Sequence, residues 1–538
     1  MRPLFLVGLD GATFDVLDPL FAAGELPVLA ELAQGGARAV LRSTIPPITP
    51  AAWSSFMTGK RPGKHGVYDF RIYEPHAYRD SFVTSRALRD PTIWSIFTAA
   101  GRRVAVVGLP MMYPPQPQHG TVVSGFDTPS AAAMFTTPAD LRTRILERFP
   151  DYVFAAVPAA SDPSLETDEA FESFVAQVER AFEQRTRVAI ELLQDRRWDM
   201  FMVHHQDTDT LQHLTWRYIA PGSEAPERRA RVRAAYRRLD ALLGELLAAV
   251  PEDALRVVLS DHGFGSHTGR LFPNVLLHKW GYLSWRGRRR ARLHHSLRKR
   301  LGRLGLATTP SRRRDESWDT RMRTQSFDRA LPLRWGRTRA YVALGEIHGL
   351  LYLNRKGREP GGVVSEGGEA DALLAELCDR FLAARDPRDG AAVFADVLRG
   401  DQVDPDDARG RRPDLILVPR PGYTLRRELN QSLWVDHDRL MAGTHRLLGM
   451  LLVSGPGVRP GPLACEPELI DLAPTLLAVA GLPVPQDMDG RVLEELFIEP
   501  LTVAHAAAGS QSAASDETLT ADEEALVEER LRALGYLA

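Results

Sequence analysis

Cysteine is nearly absent: Cys378 and Cys465 are the only two in 538 residues, and neither stands in a CxxC pair. A disulfide framework and a cysteine-based metal site are both excluded as organising principles, and the scarcity suits a reducing compartment. Long apolar runs are missing too. No stretch reaches the roughly 18 to 20 consecutive apolar residues of a membrane span. The N-terminal MRPLFLVGLDG carries one arginine and too short an apolar run for a secretory leader, so it reads as a first buried strand, with a cytoplasmic location expected. Neither sign of charge prevails. Lys and Arg number 67 against 69 Asp and Glu, a net charge of −2, which argues against whole-chain attraction to nucleic acid or acidic partners. Repeats at solenoid periods are lacking, and nothing in the sequence sets an oligomeric state.

What is present suits a large soluble α/β protein. Hydrophobic residues make up 44 % and charged residues 25 %, enough to bury a substantial core, and the length reads as one core with insertions. Leu4 to Leu9 is a compact apolar run ending in Asp10-Gly11, the pattern of a buried parallel strand with an acid at its carboxyl end. A single helix over 17–35 and a strand over 37–42 follow. Helix 91–100, strand 103–108 and a short strand at 121–125 make a second step. A long helix over 167–194 then leads into Met200 to Val203 and HHQDTDTLQH, and a helix over 227–250 leads into Leu255 to Ser260 and Asp261-His262-Gly263. Three times a buried strand ends in acid, the best sequence sign of a mostly parallel sheet between helices, with ligands at the strands' carboxyl ends.

Residues 286–314 break the pattern, crowding Arg and Lys into RGRRRARLHHSLRKRLGRLGLATTPSRRR. Leu293, Leu297, Leu301 and Leu304 recur at helical spacing, giving an amphipathic basic helix that either packs on the core or meets an anionic surface, lipid or nucleic acid. The expected division is a core in two parts, 1–275 and 336–497, split by a basic insertion at 276–335. A linker at 498–521 and a C-terminal helix at 522–538 complete it. Within the second part, sheet patterns are read at 339–353 and 414–418, a helix around 369–384, a strand at 446–454 and a helix over 468–481.

The chemistry gathers around Ile48 to Gly66, ITPAAWSSFMTGKRPGKHG. Thr49 offers a hydroxyl just before a proline, which is also a common helix start with the threonine as N-cap. Alone it is a poor nucleophile and needs a base or a metal. Asp10, Asp209, His213, Asp261, His262 and His445, all at expected strand ends, look like metal ligands. Mixed Asp and His with no Cys suits catalytic zinc, with manganese or iron also accommodated.

In their order, Asp10, Thr49, Asp209 with His213, Asp261-His262-Gly263 and Gly443-Thr444-His445 resemble the alkaline phosphatase superfamily, and its type I phosphodiesterase/nucleotide pyrophosphatase branch most. The likeness covers roughly 1–275 and 336–497, including DLAPTLLAVAGLPVPQDMDG near the end of the core. It implies an alkaline-phosphatase-like fold and two zinc ions. Asp209, His213 and His445 would hold one; Asp10, Asp261, His262 and the Thr49 oxygen would hold the other. A divalent cation lowers the pKa of a bound oxygen, so Thr49 can act near neutral pH without a separate base, and two cations can clamp an in-line displacement at phosphorus. The implied activity is hydrolysis of a small-molecule phosphate ester through a covalent phosphothreonine at Thr49.

Threonine as nucleophile favours diesters. Phosphomonoesterase or phosphotransferase activity is the alternative on the same core, and a non-catalytic metal-bound protein docking through 286–314 is the alternative of another class. A sulfatase is rejected: Cys465-Glu466-Pro467 is followed by Glu468-Leu469, without the arginine such a motif needs. The sequence departs from the branch at Ala52, where an asparagine that grips a phosphoryl oxygen is expected. Backbone N–H groups after Thr49, or Lys60, Lys64 and His65, are the candidate replacements. His204, His205, His267 and His437 are read as supporting or surface groups.

Overall fold

The structure, a computed structural model, describes residues 2–159, 161–195, 197–219, 225–285, 333–429, 435–436, 441–508 and 519–534. The basic stretch 286–314 and most of the 276–335 insertion expected around it lie outside the described residues, as does His437.

A nine-stranded sheet organises the molecule. At its centre Leu4–Leu9 runs parallel to Met200–His205 on one side and Leu255–Leu259 on the other. Val104–Val107 and Thr121–Val123 extend the parallel part, and Leu448–Ser454 and Ala37–Arg42 close the other side in antiparallel pairing. These central strands read as continuous apolar runs because both faces are covered. Alternation decides which residue faces which layer. Phe5, Val7, Leu9, Phe201 and Val203 join the apolar cluster beneath the long helices Asp168–Asp195 and Pro226–Leu247. Leu4, Leu6, Met200 and Met202 point the other way, into the cluster built by Thr49–Thr58, Ile93–Ala99 and Leu472–Val479.

The three strands that end in acid are thus immediate neighbours in the middle of the sheet. Their carboxyl ends must open onto one place.

Three details differ from the sequence reading. The single helix expected over 17–35 is two, Phe14–Ala22 and Pro27–Gly35, because Leu26 precedes a proline and takes a non-helical backbone, φ −125° and ψ 67°, that a helix cannot pass through. Residues 340–419 do not extend the main sheet. They form a separate four-stranded antiparallel sheet, ordered Ala340–Leu344, Gly349–Leu353, Leu415–Pro419, Phe394–Arg399, with Gly368–Leu382 packed in its own apolar cluster. The stretch expected as linker also carries structure: His505–Ala506 pairs in parallel with Val484–Pro485. Beyond it Ala521–Ala533 is helical and starts on a reciprocal capping box between Thr520 and Glu523. Among the described residues no helix is long and apolar enough to cross a membrane.

Candidate active site

Thr49 is the first residue of a ten-residue helix, and Ile48, extended at φ −130°, takes the cap position without a side-chain bond. The N-cap role open to Thr49 is therefore not the one it fills. Its Oγ1 lies 3.4 Å from His262 Nε2. The expected ligands surround it. Asp10 follows the first strand, Asp209 and His213 stand one turn apart on helix Asp207–Ile219, and Asp261 and His262 follow Leu255–Leu259. His445 arrives on Gly443–Arg446, which pairs antiparallel with Gly263–Ser266. Thr49 and these six residues are all buried, none more than 3 % exposed.

Backbone carbonyls set the imidazoles. Nδ1 of His213 donates to the Gly443 carbonyl at 3.0 Å, that of His445 to Pro47 at 3.1 Å, and that of His262 to Gly263 at 3.1 Å. A carbonyl only accepts, so Nδ1 holds the hydrogen and each neutral ring turns the lone pair of Nε2 inward. The Nε2 atoms of His213 and His445 come within 3.0 Å of each other, and the rings of His262 and His445 stack at 3.6 Å. Two lone pairs at that distance repel unless a positive charge stands between them.

The carboxylates carry the same message. Burial, reinforced by the charges of Asp261 and Asp209, raises the pKa of Asp10 well above the ordinary range. Burial and Asp209 raise that of Asp261. Burial, and the neighbouring His445, depress His262, and burial depresses His445. Three acids and three imidazoles sealed from water form a donor set that suits divalent cations.

Ligand atoms of Asp209, His213 and His445 lie within 4.8 Å of one another, as do those of Asp10, Asp209 and His262. The first group is the triad expected from the sequence. The second has Asp209 where Asp261 was expected, but Asp261 is close by: Oδ1 accepts the Gly11 N–H at 3.1 Å and Oδ2 lies 3.3 Å from His262 Nε2. Asp10 Oδ1 and Asp261 Oδ2 accept no hydrogen bond from any described residue. Buried acceptors left in that state are costly, and a cation would satisfy both.

The candidate side-chain phosphate donors are not brought to Thr49. Lys60 pairs with Asp90 at 2.8 Å and with Asp487, and Lys64 pairs with Asp489 at 2.5 Å. His65 accepts the Val67 N–H on Nδ1, so its Nε2 donates to Ser55 Oγ at 2.8 Å. The two lysines stand beyond the far end of the Thr49–Thr58 helix, about 15 Å along its axis, and His65 turns back to Ser55 of the helix itself. Ala52 is wholly buried in the apolar cluster below the sheet.

Two supporting residues lie close to the site. Trp53, which the sequence reading passed over, donates its indole N–H to Asp10 Oδ2 at 3.1 Å, and His204 Nε2 lies 3.0 Å from the same oxygen. The first had one available signal, its place four residues after Thr49 on one helix face. His205 faces the other layer, edge-on to Phe182, and His267 Nε2 lies 3.2 Å from Thr424 Oγ1.

A family model described as type I phosphodiesterase / nucleotide pyrophosphatase matches residues 4–446. Among solved structures, the phosphonoacetate hydrolase of Sinorhizobium meliloti 1021, in complex with phosphonoformate, is similar over 89 % of this chain and 96 % of its own, at TM-score 0.51 and 19 % identity. Human ectonucleotide pyrophosphatase / phosphodiesterase 5 aligns over 93 % of this chain and 100 % of its own, at TM-score 0.49 and 12 % identity. The first likeness is one of fold.

Proposed function

From its membership of the type I phosphodiesterase/nucleotide pyrophosphatase family, to which this chain belongs and which makes it a hydrolase of phosphoric esters, we propose a two-metal phosphodiesterase that works through a phosphothreonine at Thr49. One observation carries the reading: a sealed cluster of three carboxylates and three inward-facing Nε2 atoms beside a threonine hydroxyl that caps nothing.

In this reading Asp209, His213 and His445 hold one divalent cation, and Asp10, Asp261, His262 and Thr49 Oγ1 hold a second, zinc being the best match to the donor set. When bound, the cations supply Lewis acidity, lowering the pKa of the Thr49 hydroxyl and offsetting charge that develops on phosphoryl oxygens. The residues do the rest. Burial keeps bulk water from the reacting centre, and the three Nδ1–H bonds to carbonyls hold the imidazoles in one tautomer. Thr49 Oγ1 gives up its proton and forms a bond to phosphorus in line with the bond that breaks, and the leaving alkoxide departs and takes up a proton. Water then bonds to phosphorus as the phosphorus–Oγ1 bond breaks, its oxygen staying on the phosphate and one proton passing to Thr49, with two inversions and net retention at phosphorus.

The grip on the phosphoryl oxygens falls to the start of the Thr49 helix. The Ala52 N–H already bonds the Ile48 carbonyl at 2.9 Å and Pro50 has none, which leaves the N–H groups of Thr49 and Ala51. Threonine as nucleophile supports a diester over a monoester. The test is zinc-dependent turnover of bis-p-nitrophenyl phosphate by wild type and Thr49→Ala, with mass spectrometry of acid-quenched enzyme. Wild type is expected to carry a p-nitrophenyl-phosphoryl group on Thr49 during turnover, and Thr49→Ala to lose both label and activity. Inversion at a chiral phosphorus would replace the scheme with direct attack by water.

A further inference from the structure

We propose that Trp53 is a positioning residue that clamps Asp10 by its Oδ2 and so leaves Oδ1 as the atom offered to a cation. The proposal rests on the two-metal reading and goes beyond it, because Trp53 is not in that ligand set. The Trp53 indole, a donor only, gives its hydrogen to Oδ2 at 3.1 Å. His204 donates its Nδ1–H to the Gly108 carbonyl at 3.1 Å and so fixes the ring that packs against Trp53. Oδ1 accepts no hydrogen bond among the described residues and lies 3.5 Å from His262 Nε2.

The clamp is packed as well as bonded. The Trp53 and His204 rings meet edge to face at 4.9 Å, and both residues are wholly buried. A Cβ on Gly8 would stand 2.7 Å from His204 Cδ2 and 3.0 Å from the Trp53 ring, so a side chain in the middle of the first strand would push both rings out of place. Trp53 also follows Thr49 by four residues on one helix. The element that presents the hydroxyl therefore also aims a ligand of the cation that the hydroxyl would share, and a shift of that helix moves both together.

The test is calorimetric titration of the metal-free full chain with Zn²⁺ against a competing chelator, with visible spectra of the Co²⁺ form. Wild type is expected to take up two ions. Trp53→Phe keeps most of the ring and loses the N–H, and is expected to bind one of the two ions 10- to 100-fold more weakly, in the range seen when a ligand's hydrogen-bonded support is removed. Only one of the two Co²⁺ band sets should move. Gly8→Ala, whose Cβ would displace the Trp53 ring, is expected to do the same, so the prediction survives if one variant fails to fold. Two ions bound with unchanged affinity in a folded Trp53→Phe, or in a folded Gly8→Ala should Trp53→Phe not fold, overturn the clamp and leave the two-metal reading standing. Equal weakening of both ions overturns it as a general packing effect. Fewer than two ions on wild type overturns the two-metal reading and the clamp with it.

Discussion

Asp207 is expected to cost about 3 kcal/mol when its charge is removed. It stands two residues before Asp209, and its Oδ2 accepts from Arg185 at 2.8 Å with both side chains buried, 2 % exposed or less. Its Oδ1 accepts the Ala156 N–H at 2.7 Å, and Arg185 also donates to the Phe154 carbonyl at 3.0 Å. The pair thus ties the middle of the Asp168–Asp195 helix to the turn that carries Asp209. Removing one partner of a buried pair leaves the other charge uncompensated, at about 3 to 5 kcal/mol. Asparagine keeps an acceptor for Ala156, which sets Asp207→Asn at the lower end. Unfolding entropy scales to about 1.1 kcal/mol per kelvin for a chain of 538 residues, so the melting temperature should fall by about 3 °C. Differential scanning calorimetry of the zinc-loaded protein measures it. The decisive companion is Arg185→Met with Asp207→Leu, which removes both charges and should melt above Asp207→Asn. If the single variant shifts by less than 1 °C, or the double variant melts no higher, the pair is not the brace described.

Three further outcomes follow from the geometry. Burial lowers His119 to about 4 and His348 to about 3, from 6.5 in each case, so below pH 6.5 the unfolded chain takes up protons the folded one refuses. Their contribution is complete above pH 6.5 and is lost as the pH falls toward those values, about 2 kcal/mol each by pH 5. Urea midpoints at pH 7 and pH 5 should show the decline, and glutamine at both positions should flatten it; an equal slope in the variant refutes the assignment. Ala52→Asn, though it restores the amide expected of the branch, should lower stability by about 1 to 3 kcal/mol by burying an unpaired amide in an apolar cluster, and should leave inhibition by inorganic phosphate unchanged. Tighter phosphate inhibition would show that this position reaches the substrate. Gly11→Ala forces a Cβ at φ +63°, 3.1 Å from Asp209 Oδ1 and 3.0 Å from the Phe264 ring, and should weaken zinc binding about 10-fold, strain of this kind costing of order 1 to 3 kcal/mol. Wild-type affinity in a folded Gly11→Ala would refute it.

The legible part of the site is the part that lies at strand ends. An apolar run closing on Asp10, Asp209 or Asp261 announces both a buried strand and an acid at its mouth, since period and composition act over a few neighbouring residues. What brings those mouths together is the adjacency of Leu4–Leu9, Met200–His205 and Leu255–Leu259, a pairing across some 200 to 250 residues that no local pattern encodes. The same limit explains the donors. Lys60 and Lys64 look close to Thr49 in sequence, but a helix rises 1.5 Å per residue and carries them to its far end, where Asp90, Asp487 and Asp489 take their charges, while His65 bonds Ser55. Trp53, only four residues from Thr49, stays on its face for the same reason and reaches Asp10 instead. Proximity in the chain therefore misleads by one rule and informs by the other. In the Ile48 to Gly66 stretch, helical phase rather than charge separates residues that serve the hydroxyl from those that hold its helix in place.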